Sequence, residues 1–263
     1  MADNPEEKLR NFVNSSGFPL QIGIRHAVES LWRDQKWGVL TEEHPWENQI
    51  SGESGFIDLV LDHDEKTQIL IVECKRVRDS QWIFLIPSDN LEQCTRAKSW
   101  TTFGSKCFGW MDLSLAPVSF ESSFCVVPGQ DRKSKPMLER LASDVVEATE
   151  AFAREERFLE VFGEYHLRTY FSVIVTTAVL KICRFDPENI DIGLGEITKC
   201  EFQDVPSIRF RKPLTPRNEE VSKGDITKIF QEKERTVFVV NSLSFLDFIT
   251  NWRLGPLPRT LQQ

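Results

Sequence analysis

The sequence carries no CxxC pair, no HxxxH spacing, no basic-then-apolar leader and no internal repeat or low-complexity block. Each absence removes a class. The six cysteines, at 74, 94, 107, 125, 183 and 200, lie in apolar or helix-like contexts and read as small buried hydrophobes, not a zinc site. The longest apolar stretch, residues 170–185, is broken by Ser172, Thr176, Thr177, Lys181 and Arg184 and falls short of the roughly 20 residues a spanning helix needs. The acidic start, MADNPEEKLRN, lacks a signal-peptide layout, so a cytoplasmic protein with no membrane segment is expected. A net charge of −8 excludes nucleic-acid binding by bulk electrostatics, though not a local basic groove.

What is present is ordinary globular material: 263 residues, 40% hydrophobic and 27% charged, enough for one large α/β domain. After a short N-terminal segment and loop in residues 1–18, apolar residues at Leu20, Ile24, Ala27, Val28, Leu31 and Trp32 predict a helix over residues 19–37, with Pro19 at its start and Gly38 as its stop. Strands follow over residues 39–46, 56–62, 68–75 and 81–86. Asn90 and its neighbours offer caps for a helix over residues 91–101, where Leu91, Cys94, Ala97 and Lys98 share a face. A loop over 102–117 and a strand over 118–127 complete a core spanning residues 19–127. Beyond it, an α/β extension over 136–255 begins with a long helix, 136–162, and a β-type run, 169–185.

Charge sits where an apolar strand pair can least accommodate it. In GFIDLVLDHDEKTQILIVECKR, Asp58 interrupts the first strand, and Glu73 and Lys75 the second. Pairing Asp58 opposite Glu73 leaves a turn of suitable length around residues 64–66, and Glu73 and Lys75, two apart, share a face. Two carboxylates brought together repel, and a hard divalent cation relieves the repulsion. Mg²⁺, or Mn²⁺, would take Asp58, Glu73, the Cys74 carbonyl oxygen and waters, polarising a phosphoryl oxygen, with Lys75 beside it to orient water. The alternative is that Asp58 points to solvent from an edge strand while Glu73 and Lys75 mark a frayed end.

Asp58 followed by Glu73-Cys74-Lys75 on a β-hairpin behind an N-terminal helix resembles the PD-(D/E)XK nuclease superfamily, although Ile57 stands where its motif has proline. The resemblance covers roughly residues 19–127. It implies a restriction-endonuclease-like fold, a mixed sheet flanked by helices in the order αβββαβ. It also implies metal-dependent hydrolysis of phosphodiesters, with Asp58 and Glu73 as metal ligands and Lys75 as the catalytic lysine. Members often add a glutamate from the first helix, for which Glu29 is the match, and a polar residue after the hairpin, for which Gln93 is. Glu29 also fits an ion-pair ladder with Arg25 and Arg33, and Gln93 a capping partner of Asn90.

The expected partner is nucleic acid, DNA in preference to RNA, with a homodimer or larger assembly compatible with cutting two strands. The rival function is an inactive nuclease-fold module that binds nucleic acid or a protein partner within an assembly. Arg76, Arg78, Arg96, Lys98 and Lys106 flank the motif as a candidate phosphate rim, although each taken singly reads as solvated charge, as do Arg209 and Arg211. The Asp62-His63-Asp64 string reads as a solvated turn. Trp82, Trp100 and Trp110 read as core or loop cover before base-stacking surface.

Overall fold

The computed structural model describes residues 4–78, 80–90, 92–103, 107–130, 135–157, 167–214 and 226–256. Three helices precede the first strand: α1 (Pro5–Ser15), α2 (Phe18–Ser30) and α3 (Trp32–Gln35). Asn4 caps α1 by accepting the Glu6 N–H, and Pro5 suits its first turn. This helix replaces the loop expected before residue 19. α2 buries Gln21, Ile24 and Val28, one face at i, i+3, i+7 spacing. The helical run ends earlier than the sequence predicts, because Lys36 takes a left-handed backbone (φ 63°) and Trp37 already belongs to a strand.

That strand, β1 (Trp37–Glu47), forms an antiparallel meander with β2 (Ser54–His63) and β3 (Gln68–Lys75), as the alternation and turns predict. Then come β4 (Gln81–Pro87), β5 (Cys94–Phe103), β6 (Cys107–Ser119) and the two-residue strands β7 (Glu121–Ser122) and β8 (Cys125–Val126). The long helix α4 (Met137–Arg157) leads to β9 (Leu167–Thr176) and β10 (Val179–Phe185). Short strands β11 (Ile190–Asp191), β12 (Glu196–Ile197) and β13 (Glu201–Asp204) precede β14 (Ser207–Pro213). The chain closes with α5 (Ile226–Lys233), β15 (Glu234–Asn241), α6 (Phe245–Thr250) and β16 (Arg253–Leu254).

The helix predicted over residues 91–101 is a strand. Cys94–Phe103 pairs antiparallel with β6, and its last four residues also pair with β9, from Trp100 opposite Tyr170 to Phe103 opposite Leu167. Ala97, Lys98, Ser99, Trp100 and Thr101 are all buried, so no period-2 alternation marks them as a strand. Most of the loop predicted over 102–117 is the other arm of this hairpin. The strand predicted over 118–127 reduces to the end of β6 and the two short strands. The run over 169–185 breaks at Thr177 and Ala178, and its halves, β9 and β10, lie in different sheets.

The main sheet runs β1-β2-β3-β9-β15-β14-β7, with β5 pairing the first residues of β9 and leading on to β6 and β16; a second sheet runs β13-β10-β4-β8. β3 is antiparallel to β2 on one side and parallel to β9 on the other. One core packs Ile69 and Ile71 against Leu141, Val145 and Phe152 of α4; the other packs Leu70, Val72 and Cys74 with Ile24 and Val28 of α2 and Phe248 of α6. A strand covered on both faces is apolar on both, which accounts for the unbroken Ile-Leu-Ile-Val of β3. Each of these side chains contributes roughly 1.5–3 kcal/mol on burial. Such a strand gives up packing wherever it carries charge, and it does so at its last turn toward solvent, Glu73 and Lys75. No helix among the described residues is long and apolar enough to cross a membrane.

Candidate active site

The hairpin register continues past its last pair, Leu59 opposite Val72, to Asp58 opposite Glu73, the pairing expected from the sequence. There the ladder opens. The Asp58 carboxylate accepts the main-chain N–H of Cys74 at 2.6 Å, one residue beyond Glu73. On β2, Ile57 packs with the α4-side core and Leu59 with the opposite one, although regular strand alternation would put both on one face. The strand is therefore twisted off course at Asp58. Its neighbour on β1 is distorted too: Glu43 has φ 51° and falls between the pairs Glu42–Leu59 and His44–Ile57, hence opposite Asp58.

A buried glutamine ties these pieces together. Gln21 of α2, 6% exposed, donates from Nε2 to Glu43 Oε1 at 2.6 Å and to the Asp58 carbonyl oxygen at 3.0 Å. Sequence reasoning passes over both Gln21 and Glu43, yet each leaves a signal. Gln21 is a polar residue on the stripe that Ile24 and Val28 define, and pairing β1 with β2 across the turn at residues 48–53 brings Asp58 opposite Glu43.

Burial pushes the Asp58 carboxyl up to about 6; the Cys74 amide and Lys75 act against the shift and Glu43 adds to it. Glu73 is pushed further, to about 8, by burial and then by Asp58, with Lys75 opposing and Asp144 and Glu43 adding. Burial, then Asp58 and Glu73, also raise the Cys74 thiol well above its ordinary range. A cavity of about 250 Å³ lies between the hairpin and α4, with Glu53, Glu73 and Asp144 on its polar side and Trp46, Phe56 and Ile71 on its apolar side. Half-buried carboxylates whose proton affinity is raised first by burial are oxygen donors short of positive charge. This donor chemistry fits a hard divalent cation at Asp58 and Glu73.

Two sequence-predicted site residues stand elsewhere. Glu29 is exposed on α2, eight residues or about 12 Å along the helix from Gln21, and the charges acting on Asp58 and Glu73 are Glu43, Asp144 and Lys75. The ladder with Arg25 does not form either, since Arg25 pairs with Glu42 of β1 at 2.7 Å. Gln93 is exposed in the connection before β5 and belongs to no helix. Its expected position followed from reading residues 91–101 as helical, and it fails with that reading.

The basic rim also thins. Arg76 is half-buried beside Lys75 and Arg78 is exposed, but Arg96 pairs with Glu121 at 2.7 Å and Lys98 is buried against the Gln231 carbonyl oxygen at 3.0 Å. Lys106 lies outside the described residues. Arg209 and Arg211, read as solvated, are buried: Arg209 donates to Ser119, Leu115 and Pro117, and Arg211 donates to Glu234 and forms an ion pair with Asp112. Trp82 and Trp100 are core residues.

At the far end of the hairpin, ligand atoms of His63, Asp64 and Glu65 lie within 4.8 Å of one another. Lys36 already pairs with Asp64 at 3.7 Å, and Asp62 pairs with Lys66, so two of the acids here have cations of their own. No family model matches the chain, and neither a curated protein nor a solved structure matches it.

Proposed function

We propose that the chain is a divalent-metal-dependent nuclease of the PD-(D/E)XK type, with Asp58 and Glu73 as ligands for Mg²⁺ or Mn²⁺ and Lys75 as the catalytic lysine. One observation carries the reading: the Asp58 carboxylate, bonded to the Cys74 amide, acts on Glu73 where burial raises the proton affinity of both and Asp58 raises that of Glu73 further, with Lys75 two residues along the strand. Topology supports it. The order α2, β1-β2-β3 antiparallel, α4, then β9 parallel to β3 is compatible with the αβββαβ order that the resemblance implies, if residues 76–136 are taken as an insertion before the second helix.

A bound divalent cation supplies Lewis acidity toward a phosphoryl oxygen and charge compensation for the carboxylates. The chain's own residues do the rest. Asp58 and Glu73 fix the donor set, the Cys74 amide holds one Asp58 oxygen in place, and Lys75 presents an ammonium to the anionic phosphate and its attacking water. The test is incubation of plasmid, linear duplex, single-stranded DNA and RNA with Mg²⁺ or Mn²⁺, beside Lys75→Ala. Cleavage of DNA by the parent alone is expected; equal cleavage by Lys75→Ala removes the mechanism.

A second reading, an inactive module that binds a partner within an assembly, is favoured by α1. That helix buries none of its residues, and Leu9, Phe12 and Val13 stand 57–78% exposed beside Phe18 and Ile22 of α2. Absence of both cleavage and divalent binding in a calorimetric titration would select it.

A further inference from the structure

Just past the motif lies a feature that the proposed chemistry does not use. An open groove of about 590 Å³ is walled by Val77, Val127 and Met137 and edged by Arg78, Ser80 and Gln81. Its volume falls within the roughly 300–1,000 Å³ of small-molecule sites. It begins two residues beyond Lys75, about 7 Å along an extended chain. Met137, at the groove, and Asp144, at the Glu73 cavity, are seven residues apart on α4, about 10 Å along its axis. Groove and carboxylates therefore lie along one edge of the molecule.

The groove is built on a fixed segment. Thr177 Oγ1 accepts the Val77 N–H at 2.8 Å and donates to the Val77 carbonyl oxygen at 2.7 Å, and the Thr177 N–H donates to the Lys75 carbonyl oxygen at 3.3 Å. Arg78 follows directly and makes no ion pair or hydrogen bond among the described residues, while Arg96 and Lys98 are engaged elsewhere. It is a cation available for a phosphate in a chain of net charge −8.

We propose, resting on the nuclease reading, that this groove receives one unpaired nucleotide next to the phosphate under attack, so that the substrate is a single strand or a duplex with an unpaired end. Apolar walls offer a surface for the face of a base, the Ser80 hydroxyl and Gln81 amide meet its edge, and Arg78 meets its phosphate. A paired duplex keeps its base faces stacked inside and presents none to such walls. Gln81 is exposed at the start of β4 with its side chain free among the described residues, so it reaches the groove without serving the fold.

The experiment uses the full chain carrying Lys75→Ala, in Mg²⁺, with a fluorescein-labelled 12-mer single strand and a blunt hairpin duplex of the same sequence, read by anisotropy. The single strand is expected to bind at least about tenfold more tightly than the duplex, a preference that stacking of one base can supply. Arg78→Glu and Gln81→Glu, both at exposed positions and checked for folding by circular dichroism, should each remove most of that preference. Equal binding of the two probes, or unchanged preference in both folded variants, overturns the groove while cleavage dependent on Lys75 leaves the nuclease reading standing. Neither binding nor cleavage of any nucleic acid removes that reading, and the groove proposal with it.

Discussion

Asp58 Oδ2 accepts the Cys74 N–H at 2.6 Å, so the acid of one strand occupies the place where the neighbouring strand would offer a carbonyl oxygen. The contact has two separable parts, an acceptor for a buried amide and a charge. Asp58→Asn keeps an acceptor and removes the charge, whereas Asp58→Ala leaves the amide without its partner. The alanine variant should lose about 1–3 kcal/mol of stability in urea unfolding relative to the asparagine variant. Both should lose metal-dependent cleavage. Equal stability of the two variants would show that the bond contributes nothing.

The raised carboxyls make stability depend on pH with a defined sign. Asp58 and Glu73 ordinarily titrate near 3.8 and 4.5, and in the folded chain near 6 and 8, so between these values the folded state holds more protons than the unfolded one. Stability is full below about pH 4 as far as these two groups are concerned and falls as pH rises through 8. The metal-free protein should be less stable at pH 8 than at pH 5 by on the order of 2–4 kcal/mol from this source. Mg²⁺ should restore more at pH 8 than at pH 5, and Glu73→Gln should flatten the profile. A thermal-melt series in EDTA and in Mg²⁺ measures it; a profile unaltered by Glu73→Gln would rule out this origin.

Glu43 and Gln21 carry the third prediction. Glu43 adds negative charge to both carboxyls and is held by a glutamine that also grips the Asp58 main chain. Glu43→Gln should weaken divalent binding by roughly tenfold or more, the usual effect of a group supporting a ligand. Gln21→Ala should weaken it also, and lower stability by about 1 kcal/mol through the lost bonds. Glu29→Gln, exposed and remote, serves as the control. Calorimetric titration with Mn²⁺ reads all three, and a loss with Glu29→Gln matching that of Glu43→Gln would restore the helix glutamate to the site.

The hairpin was legible because its two signals agree: β-branched runs closed by turns, and charges placed where packing alone would exclude them. Asp58 opposite Glu73 and the shared side of Glu73 and Lys75 follow from strand geometry alone. Gln93 and the helix around it were lost because β5 is buried on both faces between β6 and β9, and Ala97 with Lys98 mimics a helical stripe. Arg209 and Arg211 read as solvent charge for a related reason: Leu115, Pro117, Ser119 and Asp112, which meet them, come from a segment far away in sequence. Glu43 depends on a backbone kink, and φ 51° at a glutamate leaves no mark on composition.

Thr177 provides the last test, of position and not of chemistry. Its hydroxyl makes both hydrogen bonds of a two-way clasp with Val77, and its own N–H reaches the Lys75 carbonyl oxygen, so the bend after β9 fixes the chain just after the proposed catalytic lysine. Thr177→Val preserves shape and removes the hydroxyl. Because Thr177 is exposed, water can replace part of the clasp, and stability should fall by only about 0.5–1 kcal/mol. Placement of Lys75 and Arg78 should suffer more: kcat on a single-stranded oligonucleotide is expected to drop about tenfold or more, since small displacements from reacting geometry are costly, while Mn²⁺ affinity stays within about twofold. Thr177→Ser, which keeps the hydroxyl, should recover most of the rate. A rate that falls equally in the serine variant, or that tracks the stability loss alone, would assign Thr177 to packing and leave the position of Lys75 to β3 itself.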